Sequence, residues 1–275
     1  MRADTIVTAT LNEFNGVLAK KPPFSDEARK YVLESSLAVL SNSKGLRQMT
    51  LGDMIDEEEA LSQNPEFRRK FYAGSQKAWV HEDLAAAWIE FCHVVGDGLE
   101  GNGEVLVGRG ARLYGFAFTD GSWKITGLAS TETEPLSEDE SDVTPEIMKP
   151  INALLADFPN PDWDKLKEWF LPGAGCTLYR PPAAPTAMTM EQSIVRLQNM
   201  IKAGANIQEK IHDPEVHSHG DLGFVWAPFV VELDGNPRHT GVNIFTFLKR
   251  DGKWVFSGCQ DFGKEISKAQ PGQVS

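Results

Sequence analysis

Hydrophobic and polar residues alternate along two stretches of this chain, each broken by an Asp-Gly pair. In the later stretch, 238–261 (RHTGVNIFTFLKRDGKWVFSGCQD), the alternation continues on both sides of Asp251-Gly252. A period of two is typical of strands, and Asp-Gly accepts the positive φ that a tight hairpin turn needs. The pattern therefore predicts two antiparallel strands joined by a short turn.

The same pattern occurs 131 positions earlier, because GARLYGFAFTDGSWKITGL (110–128) aligns without a gap with GVNIFTFLKRDGKWVFSGC (241–259) and is identical at six positions. Upstream, HEDLAAAWIEF (81–91) aligns with HGDLGFVWAPF (219–229), and a helical pattern precedes each copy. Such self-similarity indicates an internal duplication. Each copy places helices before a run of antiparallel strands, which predicts an α+β fold.

An acidic stretch separates the two copies. Residues 131–145 (TETEPLSEDESDVTP) contain six acids and two prolines, with too few apolar residues to form a core. We therefore predict a first domain over 1–130, a linker over 131–145 and a second domain over 146–275. Because each half-buried sheet needs cover and the linker keeps the copies close, we expect them to pack as an intramolecular pseudo-dimer in a monomeric chain.

The second copy carries three motifs that point to a known superfamily: GDL...VWAPF (220–229), H-x-G-x-N-x-F (239–245) and DGKWVFSG (251–258). In these motifs the chain resembles the nuclear-transport-factor-2-like superfamily, and within it the SnoaL-like and lumazine-binding-like proteins. The resemblance implies two cone-like domains, each a bent antiparallel sheet wrapped by helices around a pocket. It does not fix a reaction, because one fold supports many functions.

Composition narrows the classes of partner. The 275 residues carry a net charge of −12, which argues against nucleic acid and against an anionic membrane surface. Cys92, Cys176 and Cys259 are far apart and odd in number, so neither a disulfide framework nor a zinc knuckle is predicted. Without a signal peptide or a span-length apolar run, we expect a cytoplasmic protein. Phosphate-binding loops, dinucleotide fingerprints and nucleophile elbows are also lacking, so we expect no cofactor.

One strand face in the second copy carries candidate chemistry. Alternation places His239, Asn243, Phe245 and Phe247 on the same face of a strand. A histidine titrates near neutral pH and suits a general acid or base, while an asparagine amide can polarise a substrate carbonyl. We therefore predict His239 and Asn243 as catalytic and the two phenylalanines as substrate-binding. The alternative is that His239 is an exposed strand end after the turn at Asn236.

Residues on neighbouring strands complete this predicted site: Trp226 as a flat apolar wall, and Gln260 or Asp261 as a further polar group. In the first copy, Arg112 and Tyr114 stand at the positions of Asn243 and Phe245. They are predicted to bind a carboxylate or phenolate, although Arg112 also fits an exposed strand charge. The position of His239 is a glycine, so the first copy is interpreted as the structural partner.

A histidine cluster offers a metal-binding alternative. His212, His217 and His219 lie near Asp213, and alternate strand residues share a face. Only His219 recurs in the first copy, as His81 beside a turn. A structural role at the turn is therefore favoured, and no metal is predicted.

These observations predict a cofactor-independent lyase or isomerase, such as a cyclase, dehydratase or rearrangement catalyst. It is expected to use general acid–base catalysis, and its substrate to be a small hydrophobic metabolite, for example of secondary metabolism. Two alternatives remain at this stage: a non-catalytic small-molecule binding protein, and an interaction module with a vestigial pocket. A bell-shaped pH profile of turnover would distinguish the enzyme from the binding protein.

Overall fold

The computed structural model describes residues 3–42, 45–64, 67–71, 76–95, 105–133, 143–158 and 160–266. In the first half, the helices are α1 (Ala3–Leu18), α2 (Ser25–Ala28) and α3 (Leu51–Ser62). The strands are β1 (Leu37–Asn42), β2 (Gly45–Thr50), β3 (Phe67–Phe71), β4 (Lys77–His81), β5 (Leu84–Val95), β6 (Val105–Thr119) and β7 (Ser122–Thr133). Among the described helices, none is long and apolar enough to cross a membrane.

The second half repeats this order of elements. Its helices are α4 (Thr144–Asp157), α5 (Trp163–Leu166) and α6 (Met190–Lys202). Its strands are β8 (Phe170–Tyr179), β9 (Thr186–Thr189), β10 (Ile207–Ile211), β11 (Glu215–His219), β12 (Leu222–Leu233), β13 (Asn236–Arg250) and β14 (Lys253–Glu265). A short 3-10 turn follows α2 and another follows α5.

Each half builds one sheet. The strand order is β2-β1-β7-β6-β5-β3 in the first, with β4 also paired to β5, and β10-β12-β13-β14-β8-β9 in the second, with β11 also paired to β12. The predicted α+β fold of two helix-wrapped sheets is confirmed. The predicted hairpin turns are also present, since Asp120-Gly121 and Asp251-Gly252 both have positive φ. A bulge occurs at the same place in each copy, after Gly115 and after Thr246.

The sequence prediction was wrong on two details of the sheets. Strands β1, β2, β8 and β9 precede the third helix of their half, so the strands do not all follow the helices. The sheets are mixed, because β1 pairs in parallel with β7 and β14 in parallel with β8. The short apolar run of β1 lacks the alternation that separates a strand from a helix, which is why the pattern missed it.

The predicted linker was slightly too long at both ends. Residues 131–133 continue β7, where Thr131 pairs with Ala111 of β6, and residues 144–145 begin α4. The first residue of the acidic stretch, Thr131, is buried in the first domain.

The two sheets pack against each other face to face. Apolar residues from both halves form one continuous buried cluster in which Trp88 and Leu113 of the first domain join Phe224, Ile244 and Phe262 of the second. A second cluster, which includes Phe14 and Phe116, is the first domain's own core between α1 and its sheet. The packing of each copy against the other, which the duplication suggested, is present within the chain.

Polar contacts fix the register of this interface. The Gln260 side chain lies against Gly115 and Gly127, where an added Cβ would come within 1.7 Å and 2.6 Å of the Gln260 amide nitrogen. Thr126 Oγ1 donates a hydrogen bond to Gln260 Oε1 at 2.9 Å. Tyr179 Oη donates to the carbonyl oxygen of Phe118 at 2.6 Å. Two glycines of the first domain thus form a slot for one glutamine of the second.

Candidate active site

The second domain contains a cavity of about 930 Å³ between its sheet and α6. Its volume lies at the upper end of the range for pockets that enclose drug-sized ligands. Leu154 of α4, Met190 and Ile194 of α6, and Phe245 of β13 provide buried apolar walls. Residues 180–184, between β8 and β9, border the opening.

Helix α6 is held over the sheet by its N-terminal cap. Thr189 Oγ1 accepts a hydrogen bond from the Gln192 backbone nitrogen at 3.1 Å, and the Gln192 side chain accepts one in return from the Thr189 backbone nitrogen at 2.9 Å. This reciprocal capping box satisfies two backbone donors that a helix start would otherwise leave free. It begins α6 at Met190, which faces the cavity.

Strand register brings three predicted residues of β13 to this cavity, together with Asp261, the alternative to Gln260 for the polar group on the last strand. His239, Asn243 and Phe245 line it from alternate positions of β13. Asn243 pairs directly with Asp261 of β14, whose side chain also lines the cavity. Paired residues of adjacent strands point to the same face, so Asn243 and Asp261 stand side by side on the cavity floor.

Glu209 of β10 is the main polar group that sequence reasoning missed. Asn243 Nδ2 donates a hydrogen bond to Glu209 Oε1 at 2.7 Å. The Glu209 side chain keeps some contact with cavity solvent, but the surrounding protein separates it from bulk water. Burial, followed by the negative charge of nearby Asp261, raises the pKa of Glu209 to about 8, against the lowering effects of Asn243 and Arg180. At neutral pH Glu209 therefore carries a proton.

Asp261 forms an ion pair with Arg180, which follows β8. Arg180 Nη2 lies 2.5 Å from Asp261 Oδ2, and Nη1 donates to the Asp261 carbonyl oxygen at 2.8 Å. Despite the opposing effect of burial, the charge of Asp261 raises the pKa of Arg180 above its ordinary value. The other carboxylate oxygen of Asp261, Oδ1, is buried and has no hydrogen-bond donor among the described residues. Its capacity to accept a hydrogen bond is therefore unsatisfied.

His239 lies near the opening of the cavity, four residues from Asn243 along β13 and in register with Glu209 across Val231 of β12. Four residues along an extended strand span roughly 13 Å, so His239 and Asn243 do not converge on one reacting atom. The His239 side chain is half-buried, and the residue pairs with Glu265 near the end of β14. It is therefore a cavity residue near the opening rather than a partner of Asn243.

The other three predicted residues of the second copy lie elsewhere. Trp226 pairs with Ile244 and is buried in the cluster between the two sheets, on the opposite face of the sheet from Asn243. Gln260 also faces the first domain, as described above, because it alternates with Asp261 along β14. Phe247 shares the face of Phe245 but packs beyond the cavity, with its ring 4.6 Å from that of Phe256. Their assignment to the pocket wall is corrected accordingly.

In the first domain, Arg112 and Tyr114 are fully buried rather than exposed. Arg112 Nη2 donates to Glu58 Oε1 of α3 at 2.9 Å, and Arg112 Nη1 lies 3.4 Å from the Tyr114 hydroxyl. Although burial disfavours the guanidinium, Tyr114 and Glu58 keep the pKa of Arg112 above its ordinary value. With its charge satisfied by Glu58, Arg112 is a poor candidate for a substrate carboxylate.

The histidine cluster does not form a metal site. His217 stacks on Phe224, and its ring lies 4.9 Å from that of Trp79 of the first domain. His219 Nδ1 lies 3.8 Å from Glu90 Oε1, again across the interface. Within the described residues, no group of three or more metal-ligating side chains is close enough to hold an ion.

Two cysteines lie at the deep end of the cavity. Cys176 of β8 and Cys259 of β14 are paired in register, buried and free of disulfide bonds. A hydrogen bond with the neighbouring Cys176, together with burial, raises the pKa of the Cys259 thiol well above its ordinary value. A thiol that stays protonated is a weak nucleophile, so Cys259 serves as apolar lining.

Similarity to known proteins is found among solved structures. No protein-family model matches the chain. No curated protein matches it either. Among solved structures, it is similar to an NTF2-like protein with a cystatin-like fold from Novosphingobium aromaticivorans, at a TM-score of 0.38 and 11% identity over 50% of this chain and 84% of that one.

Two further structures have names that mention a reaction. A proposed dehydratase of the NTF2-like family from Streptomyces avermitilis gives a TM-score of 0.36 and 14% identity over 45% of this chain and 96% of that one. The beta subunit of a proposed aromatic-ring-hydroxylating dioxygenase from Novosphingobium aromaticivorans gives 0.37 and 13% over 46% and 91%. Each of these neighbours covers about half of this chain.

Proposed function

We propose that the second domain is a cofactor-independent acid–base catalyst, a lyase or isomerase that acts on a bulky, mainly apolar molecule bearing a carbonyl group. The observation that carries this proposal is the pair of carboxyl groups on the cavity floor. Glu209 is protonated at neutral pH, whereas Asp261 is ion-paired with Arg180. Two carboxyl groups held in opposite protonation states provide an acid and a base in one site.

The reaction follows from these two states. Asp261 removes a proton from the carbon next to the substrate carbonyl, while Glu209 donates its proton to the carbonyl oxygen, which gives a neutral enol. Return of the proton to a different carbon completes an isomerisation. Departure of a β-hydroxyl group, protonated to leave as water, completes a dehydration. In both cases Asp261 gives up the proton that it took, to the new carbon or to the departing hydroxyl group. As the carbonyl re-forms, the enol hydroxyl returns its proton to Glu209, so the site returns to its starting state.

Asn243 positions the acid in this scheme. Its hydrogen bond at 2.7 Å fixes Glu209 Oε1, which leaves the second carboxyl oxygen to face the substrate. A bound substrate displaces water from between the apolar walls of the cavity. Each of these interactions then strengthens, because electrostatic effects grow as the local dielectric constant falls.

The test uses 2-tetralone, an apolar bicyclic ketone with exchangeable α-protons, in deuterated buffer. Proton NMR should show α-proton exchange by the full-length protein above the buffer rate. Glu209→Gln should slow this exchange roughly 100-fold or more, as expected for the loss of a general acid. The matched control is Glu265→Gln, which removes a carboxylate at the rim of the same cavity. Equal exchange rates in the parent and in a folded Glu209→Gln protein would refute the proposal.

A further inference from the structure

The polarity of the second-domain cavity changes from its deep end to its opening. The deep end is formed by buried apolar side chains, among them Leu154, Ile194 and Phe245. The carboxyl pair lies on the floor between this region and the rim. The more exposed lining residues include Arg196 of α6, and the half-buried Arg180 and His239. A ligand that fills the cavity therefore meets apolar surface at one end and basic side chains at the other.

Arg180 lies at the rim, and not all of the N–H donors of its guanidinium are taken up by the protein contacts described. Its Nη1 donates to the carbonyl oxygens of Tyr179 and Asp261. One of the two hydrogens on Nη2 is donated to Asp261 Oδ2. A guanidinium has five N–H donors, so the Nε hydrogen and one Nη2 hydrogen have no partner among the described residues. The side chain is 41% exposed, which leaves these donors within reach of a ligand.

The backbone beneath Arg180 is shaped to hold it in this place. A Cβ added at Gly263 of β14 would lie 3.2 Å from both Cζ and Nε of Arg180. The absence of a side chain at Gly263 lets the guanidinium lie close to the strand. The free donors on one edge of a planar, fixed guanidinium match the two oxygens of a carboxylate or sulfonate.

The other charges around the cavity leave this rim receptive to an anion. Asp261 is neutralised by Arg180, and Lys264 is paired with Glu82 of the first domain. Glu209 is neutral at neutral pH because of its raised pKa. Arg196 adds positive charge at the rim, and Glu265 opposes it. The protein as a whole has a net charge of −12, so an anion is attracted by these local groups rather than by the overall field.

We propose that the cavity binds an amphipathic organic anion, with its bulky apolar body in the deep end and its carboxylate or sulfonate group at the rim against Arg180 and Arg196. The inference deepens the proposed function, on which it rests, by naming the class of substrate. In such a complex the reacting carbonyl lies between the two ends of the ligand, over Glu209 and Asp261.

The test compares two dyes that share one apolar body. 1-Anilinonaphthalene-8-sulfonate carries a sulfonate, and N-phenyl-1-naphthylamine lacks it; the fluorescence of both increases in an apolar site. Fluorescence titration of the full-length protein should give a Kd roughly 10-fold lower for the anionic dye. This preference should decrease as salt is added, because screening weakens partly exposed charge pairs.

Substitutions at the cavity opening test whether the preference for the anionic dye comes from the basic side chains there. In Arg180→Gln/Arg196→Gln the two dyes should bind with similar affinity, while Glu265→Gln should strengthen binding of the anionic dye. Arg250→Gln, which removes the same charge at the exposed end of β13, should leave both affinities unchanged. Ser193→Trp, which places a large side chain in the cavity, should weaken both dyes and so exclude binding elsewhere.

Equal affinity of the parent protein for the two dyes would overturn the inference, as would a preference that survives in Arg180→Gln/Arg196→Gln or binding unaffected by Ser193→Trp. Failure of the acid–base proposal gives a different result. Glu209→Gln should keep the dye preference, because its side chain is neutral in both proteins at pH 7. Dye binding and tetralone exchange therefore report on the substrate class and on the chemistry separately.

Discussion

The interiors of the two domains differ sharply although the sheets around them correspond strand by strand. In the first domain, Arg112 stands where the second has Asn243, and its guanidinium is closed off by Glu58 of α3. In the second, α6 faces the sheet with Leu197, a lining residue of the cavity. One interior is filled by a buried ion pair, and the other is open and carries a carboxyl pair.

Strand register shows that few positions distinguish the filled interior of the first domain from the open cavity of the second. Asp261 corresponds to Ser130, which Arg112 Nε contacts at 3.4 Å, and Glu209 corresponds to Arg69 of β3. A duplicated fold can therefore keep one copy as a packed support and the other as a site. The first domain and the cavity lie on opposite faces of β14. Gln260 contacts the first domain, and its neighbour Asp261 lines the cavity.

The largest effect is expected from breaking the ion pair that fills the first domain. Glu58→Ala leaves the Arg112 guanidinium buried without its charge partner, which should lower the free energy of unfolding by about 3 to 5 kcal/mol. Chemical denaturation measures this change. Glu57→Ala is the matched control, because Glu57 pairs with Arg47 at the surface and should contribute less than about 1 kcal/mol. Equal stability of the two variants would mean that the first interior does not depend on the ion pair.

A steric change at the interface should have the next largest effect. Gly115→Ala places a methyl group on the Gln260 amide and should cost about 1 to 3 kcal/mol from overpacking. Gln260→Ala removes the obstacle, so the double variant should be more stable than the sum of the single changes predicts. Gly16→Ala is the control, since a Cβ there meets nothing within 4 Å and alanine favours the helix α1. Additive effects of Gly115→Ala and Gln260→Ala would contradict the proposed slot.

Much of this comparison could be predicted from the sequence, because it depends on repeats and alternation. The aligned Asp-Gly turns placed the hairpins, and Trp123 and Trp254, which occupy the same position in the two aligned stretches, are both buried. Period-two alternation also grouped His239, Asn243 and Phe245 correctly on one face. Alternation alone did not say which face turned towards the partner domain, which is why Trp226 and Gln260 were assigned to the wrong side.

Glu209 was missed for a different reason. Its strand, IQEKI (207–211), is short and alternates with charged residues, as an exposed edge strand would. Only the pairing of β10 with β12 brings Glu209 beneath α6 and within reach of Asn243, a residue 34 positions away. A tertiary contact of this kind leaves no periodic signal. Asp261 was one of two candidates, with Gln260, for the polar group on the last strand, and alternation alone did not choose between these neighbours.

The raised pKa of Glu209 predicts how stability changes with pH. The folded protein keeps the proton up to about pH 8, whereas an unfolded chain loses it near pH 4.5. Between these values the folded state binds more protons, so stability falls as pH rises. Glu209→Gln should remove about 2 kcal/mol of this decrease, less than the full shift because the carboxyl keeps contact with cavity water. Urea denaturation at pH 5 to 8.5 measures it, and parallel profiles of the two proteins would refute the assignment.

The smallest effect is expected at His239, and it distinguishes two assignments of the chemistry. Because His239 is half-buried at the rim, His239→Ala should change the free energy of unfolding by less than about 0.5 kcal/mol. If His239 were the base, as the sequence pattern alone suggested, the variant should slow 2-tetralone exchange roughly 100-fold. The contacts that join Asn243 to Glu209 and Arg180 to Asp261 favour the carboxyl pair instead. We therefore expect less than about a threefold change in exchange for His239→Ala, against the large decrease for Glu209→Gln. A reversed order of these two variants, with both proteins folded, would place the base at the rim and leave Glu209 as a binding group.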